Sequence, residues 1–239
     1  MIDIEDFVRK RLALYQAYDI QAERRPGRGK EGKLTCGPYL LFSREKGAGG
    51  GAVAQLAGSR LGWQVFNNEL VDAIAKKADV RRELIESLDE RDQATILKTA
   101  ARLLRPRPID KSGYTAHLRE ILLTLGHQGD VVIVGRGAHY VLPSQFGLRV
   151  RMVAPVEVRA QRIADRENLS LKAARSEIER SDRERARLAS RDFGQSAADP
   201  LNYDVTINTA ELTLEAATEL VLTALQRKLA VKLKGNGSA

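Results

Sequence analysis

A single cysteine, Cys36, stands among the 239 residues. One thiol cannot close an internal disulfide, so a cytoplasmic setting is the expectation. Aromatic residues are scarce as well, with five Phe, six Tyr and one Trp. No ladder of basic and aromatic residues interleaves them, so nucleic acid is not an expected partner. The three histidines, His117, His127 and His139, lack the spacing to Cys or carboxylates that a zinc site needs, and no metal ligand set is expected. No apolar run approaches the roughly 18 residues of a membrane span. The acidic start Met1-Ile2-Asp3-Ile4-Glu5-Asp6 has no apolar core of a secretion signal. Against these absences stands a net charge of +8, which suits phosphorylated small molecules, nucleic acid or anionic lipid.

What is present reads as alternating strands and helices. Apolar residues recur with a helical period over 2–18, and 21–37 turns polar, basic and glycine-rich, so 1–36 is expected as a helix and flexible linker. A strand over 39–43 precedes a helix that ends near Gly62, an apt C-cap. A short strand at 63–66 follows, and Asn67-Asn68 opens another helix. Residues 81–104 read as one helix broken by Arg105-Pro106-Arg107-Pro108, and 114–126 as the next. The apolar run 130–135 has the character of a buried parallel strand, with a further strand at 148–153. Pro155 sits at the first turn of a helix reaching about Glu167, and Ser170 caps a highly charged helix reaching about Phe193. A last strand at 204–208 and an amphipathic helix at 214–228 close an α/β domain over 37–230, with a disordered tail over 231–239.

Three segments carry candidate chemistry. The first is Ser43-Arg44-Glu45-Lys46-Gly47-Ala48-Gly49-Gly50-Gly51-Ala52, a glycine-rich turn between a strand and a helix. Backbone N–H groups at a helix N-terminus suit an anion, as in a P-loop. A P-loop ends Gly-Lys-Ser/Thr, and this one ends Gly49-Gly50-Gly51-Ala52, without the lysine and without the hydroxyl that holds Mg²⁺. Arg44 and Lys46 are its cations; tight packing alone is the competing use of the glycines. The second is Gly135-Arg136-Gly137, where an arginine follows a buried strand directly and presents a planar fork to a phosphate. The third is the arginine density over 159–191, with Arg159, Arg162 and Arg166 on one helical face and Arg180, Arg183 and Arg187 on another. The interleaved acids leave two uses open: a solvated face laced with ion pairs, or a lid that clamps phosphate.

Taken together these segments resemble the cytidylate kinase-like family. The resemblance rests on the glycine turn, on Leu61-Gly62-Trp63-Gln64-Val65-Phe66-Asn67-Asn68-Glu69-Leu70, and on Ser87-Leu88-Asp89-Glu90-Arg91. Val132-Ile133-Val134-Gly135-Arg136-Gly137-Ala138, Val153-Ala154-Pro155-Val156-Glu157-Val158-Arg159 and Asp199-Pro200-Leu201-Asn202-Tyr203-Asp204-Val205-Thr206-Ile207-Asn208-Thr209 complete it, over roughly 37–225. It implies a three-layer P-loop nucleoside monophosphate kinase-like fold, with a mostly parallel sheet, a helical acceptor-binding insert and a helical lid. It further implies ATP and Mg²⁺, with Arg44, Lys46, Gly47, Ala48, Gly49, Gly50, Gly51 and Ala52 around the donor phosphates. Asn67, Asn68 and Arg136 fall where the acceptor is held, and Arg136, Arg183 and Arg187 where charge is neutralised during transfer. Family loops usually carry a basic residue where this chain has Gly51, and Asp where it has Asn67. Two expectations follow: phosphoryl transfer from ATP to a cytidylate-like nucleoside monophosphate or related small phosphate, or a nucleotide-binding regulatory protein of the same fold. Neither carries an expected oligomeric state.

Overall fold

Four consecutive apolar residues, Tyr39, Leu40, Leu41 and Phe42, are at most 1% exposed, so the strand they form lies inside a sheet covered on both sides. This is β1 (Tyr39–Arg44) in a computed structural model that describes residues 36–86, 88, 90–103 and 113–235. The helix expected over 2–18, most of the linker over 21–37 and the Arg105–Pro108 break lie outside the described residues. β1 pairs with β3 (Val131–Val134) on one side and β4 (Gly147–Val153) on the other. β2 (Gln64–Phe66) and β5 (Val205–Asn208) form the edges, giving the order β2-β3-β1-β4-β5 with every pairing parallel.

Side chains alternate across this sheet. Leu40, Phe42, Val132, Val134, Leu148, Val150 and Met152 face α1 (Gly50–Leu61) and α9 (Leu214–Gly235), meeting Val53, Ala54, Ala57, Ala217, Val221 and Leu225. Gly58 permits that approach, since a Cβ there would lie 2.5 Å from Val65 Cγ2 and 2.9 Å from the Trp63 carbonyl. α1 stops where expected, at a left-handed Gly62. α9 instead runs past Lys228 to Gly235.

The described residues divide into two compact units, Asn68–Gly129 with Cys36 and Gly37, and Pro38–Asn67 with Asp130–Gly235. The first is helical, inserted between β2 and β3: α2 (Asn68–Lys76), α3 (Ala78–Glu86), α4 (Glu90–Leu103) and α5 (Tyr114–Gln128). Val71, Ile74, Leu84, Ile96, Leu118, Ile121 and Leu122 are buried within it. Tyr114 donates its hydroxyl hydrogen to Asp72 at 2.7 Å. The one helix expected over 81–104 is two. Leu88 N–H turns back to the Ile85 carbonyl at 3.1 Å, and Gln93 Nε2 caps the Leu88 carbonyl at 2.8 Å. A side-chain amide that serves the backbone makes the break, which apolar periodicity does not register.

In the sheet unit, short α6 (Ala138–Val141) follows β3, and α7 (Val156–Glu167) and α8 (Leu171–Leu188) form a hairpin after β4. Its small core is Ala160, Ile163, Ala164, Ala174 and Ile178. Ser170 caps α8 as expected, its Oγ accepting from Ala173 N–H at 3.2 Å. Pro155 is the cap before α7 and not part of its first turn. Beyond Leu188 the expected helix widens into a π-helical turn, Ala189–Phe193, closed by left-handed Gly194. Among the described residues no helix is long and apolar enough to cross a membrane.

Asp204, just before β5, ties the sheet edge to α9. It accepts from Arg149 N–H at 2.8 Å, from the Arg149 guanidinium at 3.0 Å and from Lys228 Nζ at 2.6 Å. Burial opposes its ionised form, yet these bonds prevail and its pKa lies below the ordinary carboxylate value. A folded pKa below the unfolded one gives stability that is complete above the unfolded value of about 4 and is lost as pH falls through the folded value. Asp204→Asn should therefore cost about 1–2 kcal/mol at neutral pH, allowing for partial exposure. In denaturant titrations across pH, that difference should shrink on acidification below about pH 4.

Candidate functional site

β1 delivers the chain to a turn in which Gly47 (φ +85°) and Gly49 (φ +76°) are both left-handed. Gly47 is constrained twice, because a Cβ there would also lie 2.9 Å from both Cβ and the carbonyl of Arg159. Protein donors take up the carbonyls of the turn. Glu45 C=O accepts from Ala48 N–H at 3.2 Å, and Gly49 C=O from Val53 N–H at 3.1 Å. Lys46 C=O accepts from Arg159 Nη1 at 3.2 Å, and Ala48 C=O from Thr209 Oγ1 at 3.0 Å. Arg162 fixes Thr209 in turn, donating to its Oγ1 at 3.0 Å and to its carbonyl at 2.7 Å. Gly49, as the N-cap of α1, offers no side chain to the first-turn N–H groups. The turn's carbonyls are thus held by the protein, and its chain enters α1 at the positive end of the helix, a place that suits an anion.

Carboxylates from α8 meet this turn. Asp182 Oδ1 accepts from Lys46 N–H at 3.1 Å, and its Oδ2 lies 2.6 Å from Arg159 Nη1. Glu177 Oε1 accepts from Lys46 Nζ at 2.6 Å, and this bond, then Arg180, lowers the Glu177 pKa. Arg159 is 5% exposed. It also donates to the Ala154 carbonyl at 2.8 Å and lies 3.5 Å from Glu45 Oε2.

A second turn follows the neighbouring strand β3. Gly135 (φ +87°), Arg136 (φ +52°) and Gly137 (φ +67°) are successively left-handed, a costly state for a non-glycine residue. Gly135 N–H donates to the Phe42 carbonyl at 2.8 Å, which sets this turn beside the end of β1. The carboxyl ends of parallel strands are where ligands enter such sheets.

The structure thus brings Arg44, Lys46, Gly47, Ala48, Gly49, Gly50, Gly51 and Ala52 to the end of β1, with Arg136 on the adjacent turn. Asn67 follows the edge strand β2 and is exposed, whereas Asn68 is the first residue of α2 in the helical unit. Arg183 and Arg187 are exposed on α8, with Arg183 facing Glu179 at 3.4 Å, and they do not join the loop contacts. Arg185 is half-buried and reaches Asp182 at 3.2 Å. Glu177, Asp182 and Thr209 are participants that sequence reasoning did not single out, while Arg159 and Arg162, read there as part of one charged helical face, bond to the turn and to Thr209. One signal pointed to Asp182: the buried stripe Ala174, Ile178 continues at the same spacing to it.

His139 contributes no charge at this end of the sheet. Burial, then Arg149 and Arg151, push its pKa down to about 3, and its ring lies 3.9 Å from Tyr140 and 5.0 Å from Tyr203. Ala52 has no side-chain oxygen, and among the described residues no group of three His, Cys, Asp or Glu could hold a metal ion. Thr209→Val keeps the side-chain shape and removes the bond to Ala48. It should lower unfolding free energy by about 1–2 kcal/mol in denaturant titrations.

The family model described as the cytidylate kinase-like family matches residues 41–211. A cytidylate kinase of Halobacterium salinarum is 26% identical over 197 residues, covering 82% of this chain and 93% of that protein. A uronate isomerase of Corynebacterium glutamicum is 32% identical over 122 residues, which cover 50% of this chain but only 23% of that protein. The structure of an uncharacterized protein from Eubacterium ventriosum superposes with a TM-score of 0.54 at 19% identity, covering 78% of this chain and 96% of that one. This last likeness supports the three-layer α/β fold alone. A kinase-like family implies nucleotide binding and phosphoryl transfer in general, with ATP and Mg²⁺. Since the match runs from within β1 to just past β5, the chain belongs to the cytidylate kinase-like family.

Proposed function

We propose that the protein transfers the γ-phosphoryl group of ATP to a nucleoside monophosphate, cytidylate-like, or to a related small phosphate. The observation that carries this reading is the pairing of two anion-suited turns on adjacent strands: the left-handed glycine turn after β1 and Gly135-Arg136-Gly137 after β3. One would cradle the donor phosphates on backbone N–H groups, and the other would present a guanidinium to the acceptor phosphate. Phosphoryl transfer depends on positioning and on positive charge more than on covalent help. An acceptor phosphate is already anionic, so a general base is not required. Mg²⁺ would arrive on the phosphates of ATP, where it offsets their charge. Asn67 and Asn68 are proposed to contact the acceptor, and Arg183 and Arg187 to join only when a nucleotide draws α8 toward it.

The test is ADP release from ATP with a panel of nucleoside monophosphates. Activity with at least one acceptor is expected, and Arg136→Ala should lower kcat/KM for it by about 10²-fold or more. Unchanged turnover in that variant would remove Arg136 from its role.

A second reading is a nucleotide-binding regulatory protein, favoured by the absence of a lysine and of a hydroxyl side chain over Gly49-Gly50-Gly51-Ala52. Gly51 separates the two. It is exposed, and a Cβ on it would meet nothing within 4 Å, so a long side chain fits there. If the chain is a catalytically stripped binder, Gly51→Arg should raise ADP release well above the unaltered protein. If it is an active kinase, the same substitution should bring no gain.

A further inference from the structure

We infer that Arg44 supplies the cation that the glycine turn lacks: its Cβ takes the space a side chain at residue 50 would enter, and its guanidinium ends over the turn that carries Arg136. The assignment rests on the phosphoryl-transfer reading above and names the residue that completes that site.

Two contacts carry it. Gly50 is buried in the first turn of α1, where a Gly-Lys-Ser/Thr turn would place its lysine. A Cβ on Gly50 would lie 2.8 Å from Arg44 Cβ, 3.1 Å from Met152 Cγ and 3.2 Å from Met152 Cβ. The space a residue-50 side chain would enter is therefore taken by the Arg44 stem. At the other end, Nη1 of Arg44 touches the position a Gly135 Cβ would occupy, with Cζ at 3.5 Å from it. One side chain thus starts beside the donor cradle and ends over the turn that carries Arg136.

That path suits the chemistry. The transferring phosphoryl group must pass between donor and acceptor, and its charge spreads over equatorial oxygens. A guanidinium cannot be deprotonated and offers a planar set of donors to such oxygens. Lys46, the other cation of the turn, lies on its α8 side, with Nζ 2.6 Å from Glu177 Oε1 and its backbone N–H bonded to Asp182. Arg44 Cβ is fixed to the end of β1, opposite Met152, and cannot swing aside, so glycine at 50 follows from the presence of a side chain at 44.

The experiment is calorimetric titration of the full chain with ATP and, separately, with inorganic tripolyphosphate. The unaltered protein should bind both. Arg44→Gln should weaken both by about tenfold or more, because the lost contact is to phosphate and not to the nucleoside. Arg44→Lys keeps the charge and should lose less. Arg60→Gln removes the same charge at the far end of α1, where Arg60 faces Glu219 at 3.8 Å, and should stay within about twofold, as surface pairs contribute little. Gly50→Lys should add no affinity, since its side chain has no room. If the unaltered chain binds neither probe, the phosphoryl-transfer reading falls and this assignment with it. If it binds both and Arg44→Gln binds equally well, this assignment alone is overturned. Equal losses in Arg44→Lys and Arg44→Gln with a lowered thermal midpoint would mark a packing role and overturn it too. A gain of affinity in Gly50→Lys at unchanged thermal midpoint would show that Arg44 does not fill the lysine's place.

Discussion

A guanidinium that is 5% exposed and permanently charged must be met by acceptors wherever the chain puts it, and Arg159 recruits them from three separate elements. Ala154 supplies a carbonyl from the end of β4, Lys46 a carbonyl from the glycine turn, and Asp182 a carboxylate from α8. Losing one partner of such a buried pair typically costs about 3–5 kcal/mol. The turn, the start of α7 and the middle of α8 are therefore not independent. Gly47 follows from the same constraint, because its α-carbon rests against Arg159. The orientation of the turn follows too, because the Lys46 and Ala48 carbonyls are drawn toward Arg159 and Thr209.

The chain carries +8 overall, and the cations around the turn are met by carboxylates. Glu45 faces Arg151 and Arg159, Asp182 faces Arg159 and Arg185, and Glu177 faces Lys46 and Arg180. On the proposed reading, a polyphosphate would compete with Glu177 for the Lys46 side chain, and its advantage over a carboxylate would be contact with several convergent N–H groups at once.

How much of this was legible in the sequence divides by range. Features with local causes were readable: the left-handed C-cap Gly62, the Ser170 cap, the apolar strand before Arg136 and the glycine turn itself. The parallel sheet followed from the alternation of elements. The pairings that complete the site span a large stretch of chain, as with Lys46 to Asp182 and Ala48 to Thr209. A helical period states which residues share a face, and not what that face will meet. The arginines of α8 drew attention through their number, whereas its inward face was marked by small apolar residues, Ala174 and Ile178, leading to an acid. The break between α3 and α4 escaped for a related reason, since a Gln93 side chain satisfies a carbonyl that no periodicity describes.

The adjacent glycines at 50 and 51 show how the same residue type can answer two different demands. Gly50 is buried, and its lack of a side chain is explained by Arg44 and Met152. Gly51 is exposed with open space around its α-carbon, so packing gives it no reason to be glycine. In a helix it is the less stable choice, by about 0.5–1 kcal/mol relative to alanine. On the proposed phosphoryl-transfer reading, glycine at 51 would keep the first-turn N–H groups of α1 open to the donor phosphates, as glycine at 50 leaves room for the Arg44 side chain.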